Sequence, residues 1–127
     1  MNNLPGREKG SAAVELALVL PLALFAALAL VQVGLLAKDS LAVANAAREG
    51  AREAAVSTDE GRVRETVLRA GLSGERTVVA VERLGGVGDP VTVTVRYRSL
   101  VVVPFVEWLF PDEVALESTA TMRQETE

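Results

Sequence analysis

The sequence predicts an α+β chain: a long N-terminal helix, membrane-spanning over its first half, a short second helix and a three-stranded antiparallel sheet. Three observations lead there. From Leu16 to Ala37 no residue carries a charge; an alanine-rich stretch without proline extends that segment to Val56; and the C-terminal half holds β-branched runs that alternate apolar with polar residues.

The uncharged segment comes first. At about 1.5 Å per residue it measures about 33 Å, against a hydrocarbon core of about 30 Å. Arg7 and Lys9 precede it and Lys38 and Asp39 cancel just after it, so the N-terminus is expected in the cytoplasm and the body of the chain outside the cytoplasmic membrane. A cleaved secretory signal is the rival reading, but its apolar region runs only about 7 to 15 residues. Pro21 removes one backbone hydrogen bond and suggests a kink, which membrane helices tolerate.

Beyond Asp39 the composition favours continuing the same helix into water, giving a helix from Ala12 to Val56 about 68 Å long. Ala47, Ala51 and Ala55 recur every fourth residue, as do Ala46, Gly50 and Ala54 on the neighbouring row. Small residues in such rows admit a close backbone neighbour, either the chain's own sheet or the helix of a sibling subunit. The like-charge pairs Arg48/Arg52 and Glu49/Glu53 ask for partners elsewhere.

Ser57 with Glu60 three residues on reads as a capping box for a second helix reaching about Ala70, with Val63, Val67, Leu68 and Ala70 as its apolar face and Gly71 or Gly74 as its stop. Thr77 to Leu84 reads as a strand, 85 to 89 as a loop, and the run from Val91 as the second strand of a hairpin. In that strand Val91, Val93, Val95 and Tyr97 face one way, and Thr92, Thr94, Arg96 and Arg98 the other. A third strand is expected from Val114 to Met122, with Glu117 opposite an arginine in a pair worth at most about 1 kcal/mol.

Between the second and third strands lies the segment 104–111, with Phe105, Trp108, Leu109 and Phe110. Aromatic residues are scarce elsewhere, so this cluster either plugs the small core or meets a partner protein or the membrane interface. Phe105, Trp108 and Phe110 are the candidate interface residues.

Composition sets limits on chemistry. The chain of 127 residues has no cysteine and no histidine, which removes disulfides, thiol nucleophiles, the commonest zinc ligands and the commonest general base. Its 13 basic and 17 acidic residues are interleaved along the chain and give a net charge of −4, without the basic patch that nucleic acid requires. The glycine loops at 71–74 and 85–88 lack the lysine of a phosphate-binding loop and read as turns. No catalytic residue, cofactor, metal or small-molecule substrate is expected, and the chain is read as a non-enzyme.

Glu15 stands at the head of the apolar span with Gly10 five residues before it. A carboxylate at full bilayer depth costs about 2.5 to 3.5 kcal/mol on insertion scales, so one placed here calls for a partner. The stretch Gly10-Ser11-Ala12-Ala13-Val14-Glu15, led in by Arg7-Glu8-Lys9, resembles the processing site of type IV pilin-like precursors. That resemblance implies cleavage between Gly10 and Ser11 by a membrane prepilin peptidase, and use of Glu15 in assembly. Ser11 stands where phenylalanine is common in ordinary type IV pilins. The expected division is a leader over 1–10, a transmembrane helix over 11–37 and an extracytoplasmic α+β domain over 38–127.

The segment Val43-Ala44-Asn45-Ala46-Ala47-Arg48-Glu49-Gly50-Ala51-Arg52, behind a span opened by Ala13-Val14-Glu15-Leu16-Ala17, resembles the TadE-like family, the minor pseudopilins of tight-adherence pili. The resemblance implies a pilin-like fold, a single membrane helix with a small external domain, and work beside other pilins and pseudopilins of the same system. Leu16 stands where the major pilin of such systems usually has tyrosine. Ala46, Ala47, Gly50, Ala51 and Ala54 are the expected helix-packing residues, Glu15 the assembly residue, and membrane lipid a partner. The alternative is an uncleaved, single-pass envelope protein whose external domain binds another protein and enters no filament.

Overall fold

The computed structural model describes residues 6–106 and 108–126. Helix α1 runs without interruption from Gly6 to Val56, through Pro21. It ends at the expected residue and starts six residues before Ala12. Of the expected leader, residues 1–5 lie outside the described residues, and Gly6–Gly10 form the first turns of α1.

Helix α2 covers Glu60–Leu68, a short 3-10 turn covers Gly74–Arg76, and three strands follow: β1 Thr77–Arg83, β2 Pro90–Leu100 and β3 Glu113–Arg123. The sheet has the order β1-β2-β3 and is antiparallel throughout. Each strand lies where the β-branched alternation put it, because the alternation has a physical counterpart. Val91, Val93, Val95, Tyr97 and Ser99 of β2 are buried, and the residues between them face water.

The outward face of the sheet is held by polar pairs across β2 and β3. Thr92 and Thr121 hydroxyls meet at 2.9 Å, Thr94 and Thr119 at 3.0 Å, and Arg98 lies 3.6 Å from Glu113. Arg96 pairs with Glu117 directly opposite, as the sequence suggested. These exposed pairs fix register more than they add stability.

The start of α2 corrects one expectation. Its N-cap is Asp59, whose Oδ1 accepts from Gly61 N at 2.8 Å and Arg62 N at 3.4 Å. Ser57 donates its backbone N–H to Glu53 O and so still belongs to the end of α1, while its hydroxyl accepts from Asp59 N. A residue closing one helix cannot take the extended backbone needed to open the next. The helix stops at Leu68, before the expected Ala70, and Gly71 with φ +88° turns the chain away.

The core is a single cluster between the second half of α1, α2 and the inner face of the sheet. Ala46, Ala47, Ala51, Ala54 and Ala55 form its floor, with Val43, Val63, Val67, Leu72 and the β2 valines above. Gly50 is the tightest point. A Cβ built there would stand 2.7 Å from Val67 Cγ2 and 3.1 Å from Val93 Cγ1, so α2 and β2 both approach the α1 backbone where only glycine fits.

The C-terminal end of α1 has no basic residue in its last turn. The sheet supplies one instead. The Arg83 guanidinium donates to Ala54 O and Ser57 O, both at 2.8 Å, and to Gln124 Oε1 at 3.3 Å, while Glu125 N donates to Ala55 O at 2.7 Å. The Arg83 cation and the Glu125 N–H, placed on the carbonyls at the end of α1, oppose the negative end of the helix dipole. Of the like-charge pairs on α1, Glu53 has its partner in Arg62, an ion pair at 3.2 Å without directed hydrogen-bond geometry.

Two stability effects follow from this packing. Gly50→Ala gains about 1 kcal/mol of helix propensity and suffers about 1 to 3 kcal/mol of overpacking, so denaturant unfolding of the full chain in detergent should show net destabilisation, with Gly50→Val worse. Arg83→Met strands the Ala54 and Ser57 carbonyls and should cost about 2 kcal/mol or more in the same measurement, while Arg83→Lys, which lacks the fork, recovers only part of the loss.

Candidate functional site

Two surfaces carry the residues singled out in the sequence. The first is the N-terminal stretch of α1. Gly10, Ser11 and Glu15 are all exposed on the helix, and a Cβ placed at Gly10 would meet nothing within 4 Å. Gly10 and Glu15 lie on one continuous helix with the exposed apolar residues Val14, Leu16, Leu18, Val19, Leu20, Leu22 and Leu24. Among the described residues, α1 is the one helix long and apolar enough to cross a membrane. It fits a membrane anchor.

The second surface lies where β2 leads out of the sheet. Strand β2 runs opposite to α1: its early residue Val93 lies over Gly50, and its late residue Ser99 donates from Oγ to Asp39 Oδ2 at 2.6 Å. The chain leaving β2 is therefore carried along α1 toward the apolar segment. There Gln32 intercepts it. Gln32 Oε1 accepts from the backbone N–H groups of Val102, at 3.1 Å, and Val103, at 3.2 Å, and the side chain is 0% exposed.

Gln32 was not among the candidate residues, yet it is the one polar side chain between Leu16 and Ala37. That isolation was the available signal, because an amide is buried in apolar surroundings only where a partner awaits it. Its Oε1 has two; its Nε2 is buried without one.

The segment 101–112 that follows is neither core nor strand. Val103 and Val106 are buried, Val101 N donates to Asp112 O, and Val106 O accepts from Leu109 N and Phe110 N in a closed turn. Phe105 takes a left-handed backbone with φ 68°, an unfavourable state for an aromatic residue, and sets its ring edge-on to Phe25 at 6.5 Å between centroids. With Pro21, Leu24 and Leu28 the two rings line an apolar notch of about 180 Å³. Phe105 is 69% exposed and Trp108 79%, Leu109 is exposed and Phe110 half-buried, so the aromatic residues do not plug the core.

The small-residue rows have a definite position. Ala46, Ala47, Gly50, Ala51 and Ala54 are all buried within the chain's own domain, and Leu41, Asn45, Arg48, Glu49 and Arg52 form the exposed side of the same helix stretch. No group of three or more acidic, histidine or cysteine side chains is gathered among the described residues.

A single apolar helix that carries a small α+β head on its second half fits a chain anchored in a membrane by that helix. The family described as TadE-like protein matches the chain over residues 10–52, which bears out the resemblance drawn from the sequence. The matched segment includes Gly10, Glu15 and the run from Ala46 to Arg52, and stops before α2 and the sheet. No match was found among curated proteins or solved structures. The family match and the apolar helix together fit a pilin-like subunit of a tight-adherence pilus.

The Gln32 contact gives a measurable expectation. Gln32→Leu removes the acceptor shared by two amides, and a buried amide left without its partner costs about 1 to 3 kcal/mol. Hydrogen exchange at Val102 and Val103 should rise about tenfold or more in that variant, with exchange at Val93 and Val95 unchanged.

Proposed function

We propose that this chain is a minor pilin-like subunit of a tight-adherence pilus, inserted in the cytoplasmic membrane with its N-terminus inside, cleaved between Gly10 and Ser11 by a prepilin peptidase, and assembled through α1. The observation that carries this reading is the TadE-like match over residues 10–52, which takes in the glycine, the carboxylate and the alanine-rich run on one unbroken helix. The role is assembly, not catalysis, and no cofactor enters it.

Glu15 is exposed on the helix surface, where a second chain can reach it. Cleavage after Gly10 would create an amine at Ser11, and that amine on a neighbouring subunit is the proposed partner of Glu15. Pairing in a low dielectric stabilises both charges and fixes the axial offset between helices, whereas either charge left alone there is costly. The partners are thus other pilins and pseudopilins of the same system, with lipid around the helix before assembly. Because the small-residue ridge is occupied by the head, neighbouring subunits would meet the apolar half of α1 and the exposed side bearing Arg48 and Arg52.

Mass spectrometry of the chain from membranes with an active pilus system should find Ser11 at the N-terminus, and Gly10→Val should retain the leader. Glu15→Gln should be inserted and cleaved normally yet fail to enter filaments. An intact N-terminus at Met1, or normal assembly of Glu15→Gln, would favour the uncleaved envelope anchor instead.

A further inference from the structure

We propose that residues 101–106 and 108–111 form a membrane lip: they enter the outer boundary of the bilayer beside α1, with lipid acyl chains against Phe105 and Trp108, and fix the outer edge of the span near Gln32 rather than at Lys38. The inference rests on α1 being inserted in a membrane and not on the pilus reading.

Position along the helix is the first argument. Phe105 lies against Phe25, seven residues below Gln32, which is about 10 Å along the axis. A lip whose base is held at Gln32 and whose apex reaches Phe25 therefore has the depth of an interfacial apolar element, about 5 to 10 Å into the headgroup and acyl boundary. The surface it presents is continuous with the exposed apolar face of α1, since Phe105 and Pro21, Leu24, Phe25 and Leu28 line one notch.

The second argument is the backbone. Irregular chain enters hydrocarbon only where its polar groups are satisfied. Here Val102 and Val103 N–H groups are taken by Gln32, Val101 N by Asp112 O, and Leu109 and Phe110 N by Val106 O, and Pro104 and Pro111 have no N–H to satisfy. The N–H groups of Phe105, Val106 and Trp108 have no such partner among the described residues and require headgroups or water, which holds the segment at the boundary and out of the hydrocarbon interior. Phe105 is held in the left-handed region, and its aromatic ring remains mostly exposed in spite of that strain. In water that arrangement gains little; in lipid it buries a large ring.

Charge gives the third. Lys38, Asp39, Arg98 and Glu113 all lie above the base of the lip, at or beyond the contacts of Ser99 with Asp39 and of Arg98 with Glu113, and Asp112 stands at the base itself, bonded to Val101. Within the segment only Glu107 is ionisable, and a carboxylate is tolerated where it can reach headgroups and water but not at the midplane. Trp108 beside it suits that same boundary. With the outer edge at Gln32, Leu16 to Val31 leaves about 24 Å of helix for a core of about 30 Å, which draws Glu15 to or just inside the opposite edge.

Trp108 is the only tryptophan in the chain, so its fluorescence reads the lip directly. The full chain is reconstituted in phosphatidylcholine and phosphatidylglycerol vesicles whose acyl chains carry bromine either near the headgroup or near the methyl end. Shallow bromines should quench Trp108 several-fold more than deep ones, and quenching should be independent of protein density. Phe105→Asp should lower the bromine quenching several-fold while alkaline extraction leaves α1 in the membrane; Leu84→Asp, on the hairpin at the far end of the sheet, should change nothing. Absence of bromine quenching at either depth in the unaltered chain would overturn the proposal. So would quenching that disappears as protein density rises, since a second copy would then cover the segment.

Discussion

The approach of α1 to the sheet at Gly50 is the constraint on which the rest of the structure depends. At that point the helix backbone, Val67 of α2 and Val93 of β2 meet with no room for a Cβ. Close approach there lets the alanines on either side, Ala46, Ala47, Ala51 and Ala54, disappear into the core. It also fixes the direction in which β2 runs over the helix. From that direction follow Arg83 on the C-terminal carbonyls at one end and Ser99 on Asp39 at the other. The same direction then carries the chain down to Gln32. The head and the apolar half of α1 are thus directly joined, because they share one helix and because the sheet is bonded to it at both ends.

Sharing a helix has a mechanical consequence under the proposed assembly, in which the chain is ordered relative to its neighbours. If Glu15 sets the axial offset between helices, the head follows without a hinge, since α1 has no break between Glu15 and Val56. Pro21 lies within that stretch and the helix continues through it. An offset set at Glu15 would therefore be carried over about 60 Å to the head.

Much of this was legible in the sequence. The period of two in Val91, Val93, Val95 and Tyr97 placed the central strand and its buried face, and the pairing of an arginine with Glu117 followed from the alternation of β3. The end of α1 at Val56 was legible from the alanine-rich composition. The cap of α2 was not, because Ser57 and Asp59 are both good caps and the choice depended on where α1 let go, a matter of backbone geometry. Arg83 was hidden for a related reason: it closes a helix from which it is separated by α2 and a turn. The TadE-like run was readable since it lies within one helix. Gln32 and the aromatic segment were not joined in the sequence, because seventy positions separate Gln32 from Val102 and only the antiparallel course of β2 brings them together.

The central claim is that the head and the apolar half of α1 form one body, with the segment after β2 lying against the turns around Phe25. A chain without cysteine makes this directly measurable, since any pair introduced is the only pair present. Phe25→Cys with Phe105→Cys, treated in native membranes with a short bifunctional thiol reagent, should give an intramolecular cross-link in high yield, whereas Val14→Cys with Phe105→Cys should give none. Equal yields from the two pairs, or no cross-link from the first while the head remains folded, would contradict it.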